Sequence, residues 1–169
     1  MLDINSGPVH ISVEEGIGGT SLCLSLAASV LQSDSRVVWF ARKPLDPQRT
    51  REILSEVTES QLDRLFIVEF GTKLLTRIND LSSLIGILNE SDLIVLDDWC
   101  PSSGRAPTDD LEAVRKLISS TRNTRLILTS KAYESPSSDG EKWKSRGAQL
   151  WGLRQVSVSY THLTLPMKA

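Results

Sequence analysis

Short apolar segments alternate along this chain with longer segments whose apolar positions recur at helical spacing. The short segments predict strands and the longer ones predict helices. The predicted strands are Val9–Val13, Arg36–Ala41, Leu65–Val68, Leu93–Leu96, Arg125–Thr129 and Leu153–Val156, and the predicted helices are Thr20–Leu31, Pro47–Val57, Leu81–Asn89 and Asp109–Ser120. This order is typical of repeated βαβ units. It predicts one α/β domain, a three-layer sandwich with a mainly parallel sheet.

Composition adds little to this picture. The chain has 169 residues, is 40% hydrophobic, and carries 19 basic against 21 acidic side chains. A core of adequate size is therefore expected, and the charge balance gives no single-sign field that would attract nucleic acid or a membrane. Apolar runs are too short to span a bilayer and the N-terminus does not read as a secretory signal, so we expect a cytoplasmic protein with no membrane partner.

The end of the chain breaks the pattern. Residues 157–169 resemble a translated library adapter, which predicts a core domain over residues 1–156 that lacks its native C-terminus. The alternative is a genuine last strand, because residues 158–163 alternate between apolar and polar side chains.

A glycine-rich turn lies between the first predicted strand and the first predicted helix, which is the position of a phosphate-binding P-loop. Set against G-x-x-x-x-G-K-[ST], Val13 takes the first glycine position, Gly19 replaces the lysine, and Thr20 supplies the hydroxyl for Mg²⁺. A nest of backbone amides without the lysine can still hold an anion. The alternative is a tight turn that binds no ligand. The predicted phosphate cradle consists of Gly16, Gly18, Gly19, Thr20 and Ser21.

An acidic pair follows the predicted strand Leu93–Leu96. In P-loop ATPases a buried strand of this kind carries an aspartate to its carboxyl end, where the carboxylate orients Mg²⁺ through water. Asp97 is the candidate for that role, and an ordinary turn at a strand end is the alternative. Trp99, just beyond the pair, either caps the edge of the sheet or offers an interface patch.

Together these features resemble the RecA/RadA recombinase superfamily, and within it the short archaeal RadB-like paralogues and related degenerate ATPase-like proteins. The resemblance covers nearly all of residues 7–156 and implies a RecA-like P-loop NTPase sheet, ATP and Mg²⁺ as cofactors, and a role in DNA repair and homologous recombination. The stretches that carry it are Glu14–Ser21, Val37–Lys43 leading into Pro47–Arg49, Leu93–Asp97, and Leu126–Tyr133 followed by Arg146–Trp151.

Three departures from the family pattern concern the chemistry. Gly19 stands where the family has its lysine, Arg42 or Lys43 where it has the glutamate that activates water, and Lys131 where it has a glutamine that senses the γ-phosphate. Loss of the base and the lysine together implies weak nucleotide binding with little or no ATP hydrolysis. The cations at positions 42, 43 and 131 either replace the missing charge or lie at the solvated rim of the sheet.

Residues 133–149 are rich in Ser, Pro, Asp, Gly and Lys, which predicts a mobile surface loop. In the resembled recombinases the corresponding loop faces DNA. A basic cluster with an interleaved aromatic residue is also typical of proteins that bind single-stranded DNA. A solvated loop with one apolar anchor is the alternative. The predicted DNA-binding residues are Lys142, Trp143, Lys144 and Arg146.

The resemblance therefore implies a recombinase paralogue that works with single-stranded DNA, a recombinase or a paralogue subunit. A second hypothesis is a catalytically silent scaffold, similar to the degenerate RecA-like subunits of the Elongator complex. A third is an active ATPase whose lysine comes from elsewhere.

Overall fold

The structure, a computed structural model, describes residues 2–14, 18–101, 103–134, 143–145 and 154–158. No helix within these ranges has the length and apolar character needed to cross a membrane. The strands are β1 (Val9–Val13), β2 (Val37–Ala41), β3 (Leu65–Glu69), β4 (Leu93–Asp97), β5 (Arg125–Glu134), β6 (Trp143–Ser145) and β7 (Arg154–Val158). The helices are α1 (Gly19–Gln32), α2 (Pro47–Ile53), α3 (Glu59–Leu62), α4 (Leu74–Asp80), α5 (Ser82–Ile87) and α6 (Thr108–Ser120).

Six strands form a parallel sheet in the order β3-β2-β4-β5-β1-β7. Every residue of β1, β2 and β4 is buried, because helices cover both faces of the sheet. β5 lies between β1 and β4, so the carboxyl ends of these three strands meet at one edge. That edge is where the predicted turn and the predicted aspartate would have to come together.

Successive residues of a strand point to opposite faces, and each face of the sheet has its own core. Trp39 packs on one face in a cluster with Leu24 of α1, whereas Phe40 packs on the other face in a cluster with Leu117 of α6. All four side chains are at most 1% exposed. The three-layer α/β sandwich with a mainly parallel sheet is therefore confirmed.

Several element bounds differ from the sequence predictions. Helix α2 ends at Ile53 rather than Val57, and Thr58 caps the one-turn helix α3 with a capping box that includes Gln61. Helix α4 was not predicted. It buries only Leu74 and Ile78, and two apolar positions are too few to show helical periodicity in the sequence. The helix predicted over residues 81–89 covers Ser82–Ile87.

The segment predicted as a loop contains strand structure. β5 continues through Glu134, and β6 pairs with it antiparallel, with Ala132 opposite Ser145 and Glu134 opposite Trp143. The prediction of a loop was therefore wrong for these positions, where backbone pairing outweighs a polar composition. Residues 135–142 and 146–149 lie outside the described residues. β7 pairs with β1 and includes residues 157 and 158, and the boundary at residue 156 stays a prediction.

Candidate functional site

A cavity of about 390 Å³ opens at the carboxyl ends of β1, β4 and β5. Its walls are the first turn of α1, the end of β4, residues 129–131 of β5, and the segment from Lys43 into α2. Open parallel sheets bind ligands outside the carboxyl ends of their strands. The cavity therefore lies where the topology of the sheet favours a ligand.

The first turn of α1 forms one wall of this cavity. Gly18 precedes the helix with a φ of 84°, a left-handed conformation that glycine adopts readily. It has no side chain to cap the helix, and the first turn contains no acidic residue. No acidic side chain of the first turn itself offsets the positive end of the helix dipole, which favours an anion. Gly19, Thr20 and Ser21 line the cavity beside it, whereas Gly16 lies outside the described residues.

Thr20 and Asp97, which are far apart in sequence, meet at the base of the cavity. The Oγ1 hydroxyl of Thr20 donates to Oδ2 of Asp97 at 2.9 Å, and that of Thr129 donates to Oδ1 at 2.7 Å. Burial raises the pKa of Asp97, and the two hydroxyls oppose that shift. A carboxylate and a hydroxyl at one point are the oxygen ligands that a hard cation such as Mg²⁺ prefers. The turn and the acidic strand are thus directly connected.

Asp98 and Thr129 are not among the predicted site residues. Asp98 has a φ of 57°, which is costly for a residue other than glycine, and its backbone N–H donates to Oγ1 of Thr129 at 2.8 Å. Its buried Oδ1 has no hydrogen-bond partner in the described part of the chain. Both residues line the cavity. The sequence signal of Asp98 is a polar side chain directly after a buried strand, and that of Thr129 is a polar side chain directly after an apolar run within β5.

Arg42 is held by backbone carbonyls. Its guanidinium donates to the carbonyl oxygens of Asp98 at 2.7 Å, Trp99 at 2.6 Å and Gly71 at 3.1 Å. The same group lies over the ring of Phe70, 5.0 Å from its centroid. These contacts make Arg42 a clamp on the backbone that follows β4.

Three further cations line the cavity. Lys43 and Arg49 are exposed, and Lys131 is half-buried. Lys131 lies opposite Val13 in the register of β5 with β1, and its charge opposes the rise that burial causes in the pKa of Asp97. Arg49 is not among the predicted site residues. The sequence feature that could have indicated Arg49 is the helix start at residues 46–47, which places position 49 in the first turn of the helix.

Trp99 belongs to the core beneath the site. It is fully buried, and its indole Nε1 donates to Nε2 of His10 at 3.2 Å. His10 Nε2 also lies 2.8 Å from Oγ of Ser130. The interface-patch alternative for Trp99 is therefore wrong.

The predicted DNA-binding residues are only partly within the described structure. Trp143 and Lys144 belong to β6, and residues 142 and 146 lie outside the described residues. β6 pairs with the end of β5 beyond Lys131. This strand therefore extends the sheet at the edge where the cavity opens.

The sequence matches no family model and no curated protein. Solved structures do match. The RadB recombinase aligns with a TM-score of 0.58 and 14% identity over 81% of this chain. A DnaB-like replicative helicase aligns with a TM-score of 0.50 and 10% identity over 75% of this chain. A third structure, which is an isolated ATPase domain, aligns with a TM-score of 0.52 and 9% identity over 78%.

The fold is RecA-like. The chain covers 66% of the RadB recombinase, 59% of the ATPase domain and 39% of the helicase, so it spans at most about two thirds of these proteins. At such low identities the likeness concerns the fold, and functional arguments depend on the cavity.

Proposed function

We propose that this chain is a RecA/RadA-like recombinase paralogue, of the degenerate RadB-like type, that binds ATP and Mg²⁺ weakly and hydrolyses ATP little or not at all. It acts in DNA repair and homologous recombination through single-stranded DNA and a recombinase or paralogue subunit. The observation that carries this proposal is the hydrogen bond from Thr20, in the first turn of α1, to the buried Asp97. The fold shared with the RadB recombinase supports it.

The phosphates would lie against the first turn of α1. Gly18, Gly19 and Ser21 line the cavity there, and the dipole of α1 favours negative charge. Asp97 and Thr20 would hold Mg²⁺, directly or through water. No group of three His, Cys, Asp or Glu side chains in the described ranges forms a metal cluster. Phosphate oxygens and water would supply the further ligands of the ion, so Mg²⁺ and nucleotide would bind together.

Hydrolysis is disfavoured because the groups that the family uses are replaced. Position 19 carries no lysine to stabilise the charge that develops on the transferred phosphoryl group. Arg42, at one of the two positions that match the family's glutamate, is engaged with three backbone carbonyls and cannot take a proton from water. Phosphate release at an ordinary ATPase rate would contradict this part of the proposal. If such release were lost in Asp98→Asn, the Asp98 carboxylate would be the group responsible for hydrolysis.

Thr20→Val is expected to weaken the Mg²⁺-dependent binding of a fluorescent ATP analogue about tenfold, because the change removes one hydroxyl from the proposed ion site while keeping the side-chain shape. Titration with and without Mg²⁺ measures the effect. Ser29→Ala, an exposed change later on the same helix, is the control and should bind like the wild type. Thr20→Trp should abolish saturable binding by filling the cavity. Wild-type protein without saturable binding at millimolar nucleotide would reject the nucleotide proposal.

Binding to single-stranded oligonucleotides is expected to depend on the cations near β6. The steepness of log affinity against log salt should fall by roughly 2 in the triple variant Lys142→Ala, Lys144→Ala and Arg146→Ala. The reason is that fewer counterions are released from the DNA when three phosphate contacts are lost. The control is a variant that removes three exposed cations elsewhere, Arg51, Arg115 and Arg122. Equal slopes for the two triple variants would contradict DNA binding at this segment.

A catalytically silent scaffold is the second candidate. The clamp role of Arg42 favours it, because a residue at the family's catalytic position holds backbone instead of acting on a ligand. The nucleotide titration separates the two candidates, since a scaffold of this kind needs no saturable binding of ATP.

A further inference from the structure

Position 19 lies against the side chain of Val13. A Cβ atom added to Gly19 would lie 2.7 Å from Cγ2 of Val13, and 3.1 Å from both Cβ and Cγ1. Contacts below 3.0 Å between such carbon atoms essentially do not occur in proteins, so a side chain at position 19 requires movement of this valine.

Rotation of the valine relieves this contact only in part. Val13 is stiff at χ1 because it is β-branched, and its Cβ would lie 3.1 Å from the added atom at any value of χ1. The residue is 6% exposed, and it belongs to β1, which is paired with a strand on each side. The two departures from the phosphate-binding motif, valine for the first glycine and glycine for the lysine, are therefore sterically linked.

Lys131 lies next to this linked pair. It is the register partner of Val13 in the neighbouring strand β5. Residues 129 and 131 share one face of β5 because side chains alternate, and Thr129 on that face contacts Asp97. Lys131 lines the cavity, and its charge acts on Asp97. Lys131 is thus one strand away from the turn, and it belongs to the face of the sheet that carries the proposed ion site.

We propose that Lys131 supplies the charge that binds the phosphates of a nucleoside polyphosphate, and that Val13 determines this arrangement by excluding a lysine at position 19. This assignment rests on the proposed nucleotide site. The two residues add to that site the source of its positive charge, Lys131, and the reason that no lysine stands at position 19, which is Val13.

Two other cations on the cavity wall, Arg42 and Lys43, fit this role less well. The guanidinium of Arg42 already donates to three carbonyl oxygens. Lys43 follows β2, which pairs with β3 and β4 and is separated from β1 by two strands. Lys131 therefore combines proximity to β1 with a position on the cavity wall.

Titration with a fluorescent ATP analogue and Mg²⁺ tests the assignment. Lys131→Ala should weaken binding about tenfold or more, since a charged partner of the phosphates is lost. Arg115→Ala, which removes one exposed cation on α6, should bind like the wild type. Lys131→Ala combined with Val13→Gly and Gly19→Lys returns the lysine to the motif position and should restore affinity to within about threefold of the wild type.

Each outcome has a separate meaning. If the wild type binds and Lys131→Ala binds equally well, or if Lys43→Ala causes the larger loss, the assignment to Lys131 is wrong while the nucleotide site stands. If the wild type does not bind, the proposed function fails and the assignment fails with it. Thermal unfolding tests the steric part without nucleotide, since Gly19→Lys should lower the melting temperature of the wild type by more than it lowers that of Val13→Gly. An equal or smaller decrease in the wild-type background would overturn the exclusion by Val13.

Discussion

Arg42→Ala is expected to lower the free energy of unfolding by about 3 kcal/mol. The side chain is 16% exposed and donates to the carbonyl oxygens of Gly71, Asp98 and Trp99. Its loss leaves these acceptors without their donor, and each such loss in a buried setting costs about 1–3 kcal/mol. Urea unfolding, with the slope compared between variants, measures the change.

Two further variants show whether the clamp or the charge accounts for the loss. Arg42→Lys keeps the charge but replaces a planar fork with a single ammonium, which cannot reach the same three carbonyls, so an intermediate loss is expected. Lys43→Ala removes the exposed neighbouring cation and should change stability by less than about 0.5 kcal/mol. Equal losses in Arg42→Ala and Lys43→Ala would contradict the clamp.

The role of Arg42 shows what a sequence motif cannot reveal. The resemblance associated this position with a missing catalytic glutamate and considered the arginine as a replacement for the lysine. Its hydrogen-bond partners are backbone carbonyls 29 to 57 residues away, beside an ion pair with Asp110 at 3.9 Å. Every residue carries such a carbonyl, so no side-chain pattern marks which ones will be contacted. Only the path of the chain after β4 and before α4 brings them to the guanidinium.

The buried strands and the link between the turn and the acidic strand were predictable for a physical reason. β2 and β4 are covered on both faces, so they appear in the sequence as short apolar runs between polar segments. Parallel strands place their carboxyl ends at one edge, which is why Thr20 and Asp97 could be expected to meet. Helix α3 and strand β6 lack such a signal, since one consists of a single polar turn and the other depends on pairing with β5.

The conformation of Asp98 was also beyond sequence reasoning. A φ of 57° is maintained by contacts on both sides of the residue, from Thr129 to its N–H and from Arg42 to its carbonyl. Strain of this kind persists only where the surroundings determine the backbone. The acidic pair was visible in the sequence, but the different environments of its two carboxylates were not.

Gly19→Ala is expected to lower the free energy of unfolding by about 2 kcal/mol, although alanine is the better helix former. The reason is the contact that any Cβ at this position would make with Val13. Gly86→Ala is a matched control, because Gly86 is exposed within helix α5 and a Cβ there has nothing within 4 Å. That variant should gain about 0.5–1 kcal/mol from helix propensity and the reduced freedom of the unfolded chain. Chemical denaturation of both variants gives the comparison.

A double-mutant cycle isolates the contact between positions 13 and 19. Val13→Gly alone should be destabilising, because it removes a side chain that is 6% exposed and places glycine in a central strand. In that background, however, Gly19→Ala should become neutral or stabilising, since the atoms it would strike are gone. The expected coupling energy is therefore about 2 kcal/mol. Additive effects, or a gain from Gly19→Ala alone equal to that from Gly86→Ala, would show that Val13 does not restrict position 19. A measured coupling would mean that the lysine of the motif cannot be restored here by one substitution, because the strand and the turn would have to change together.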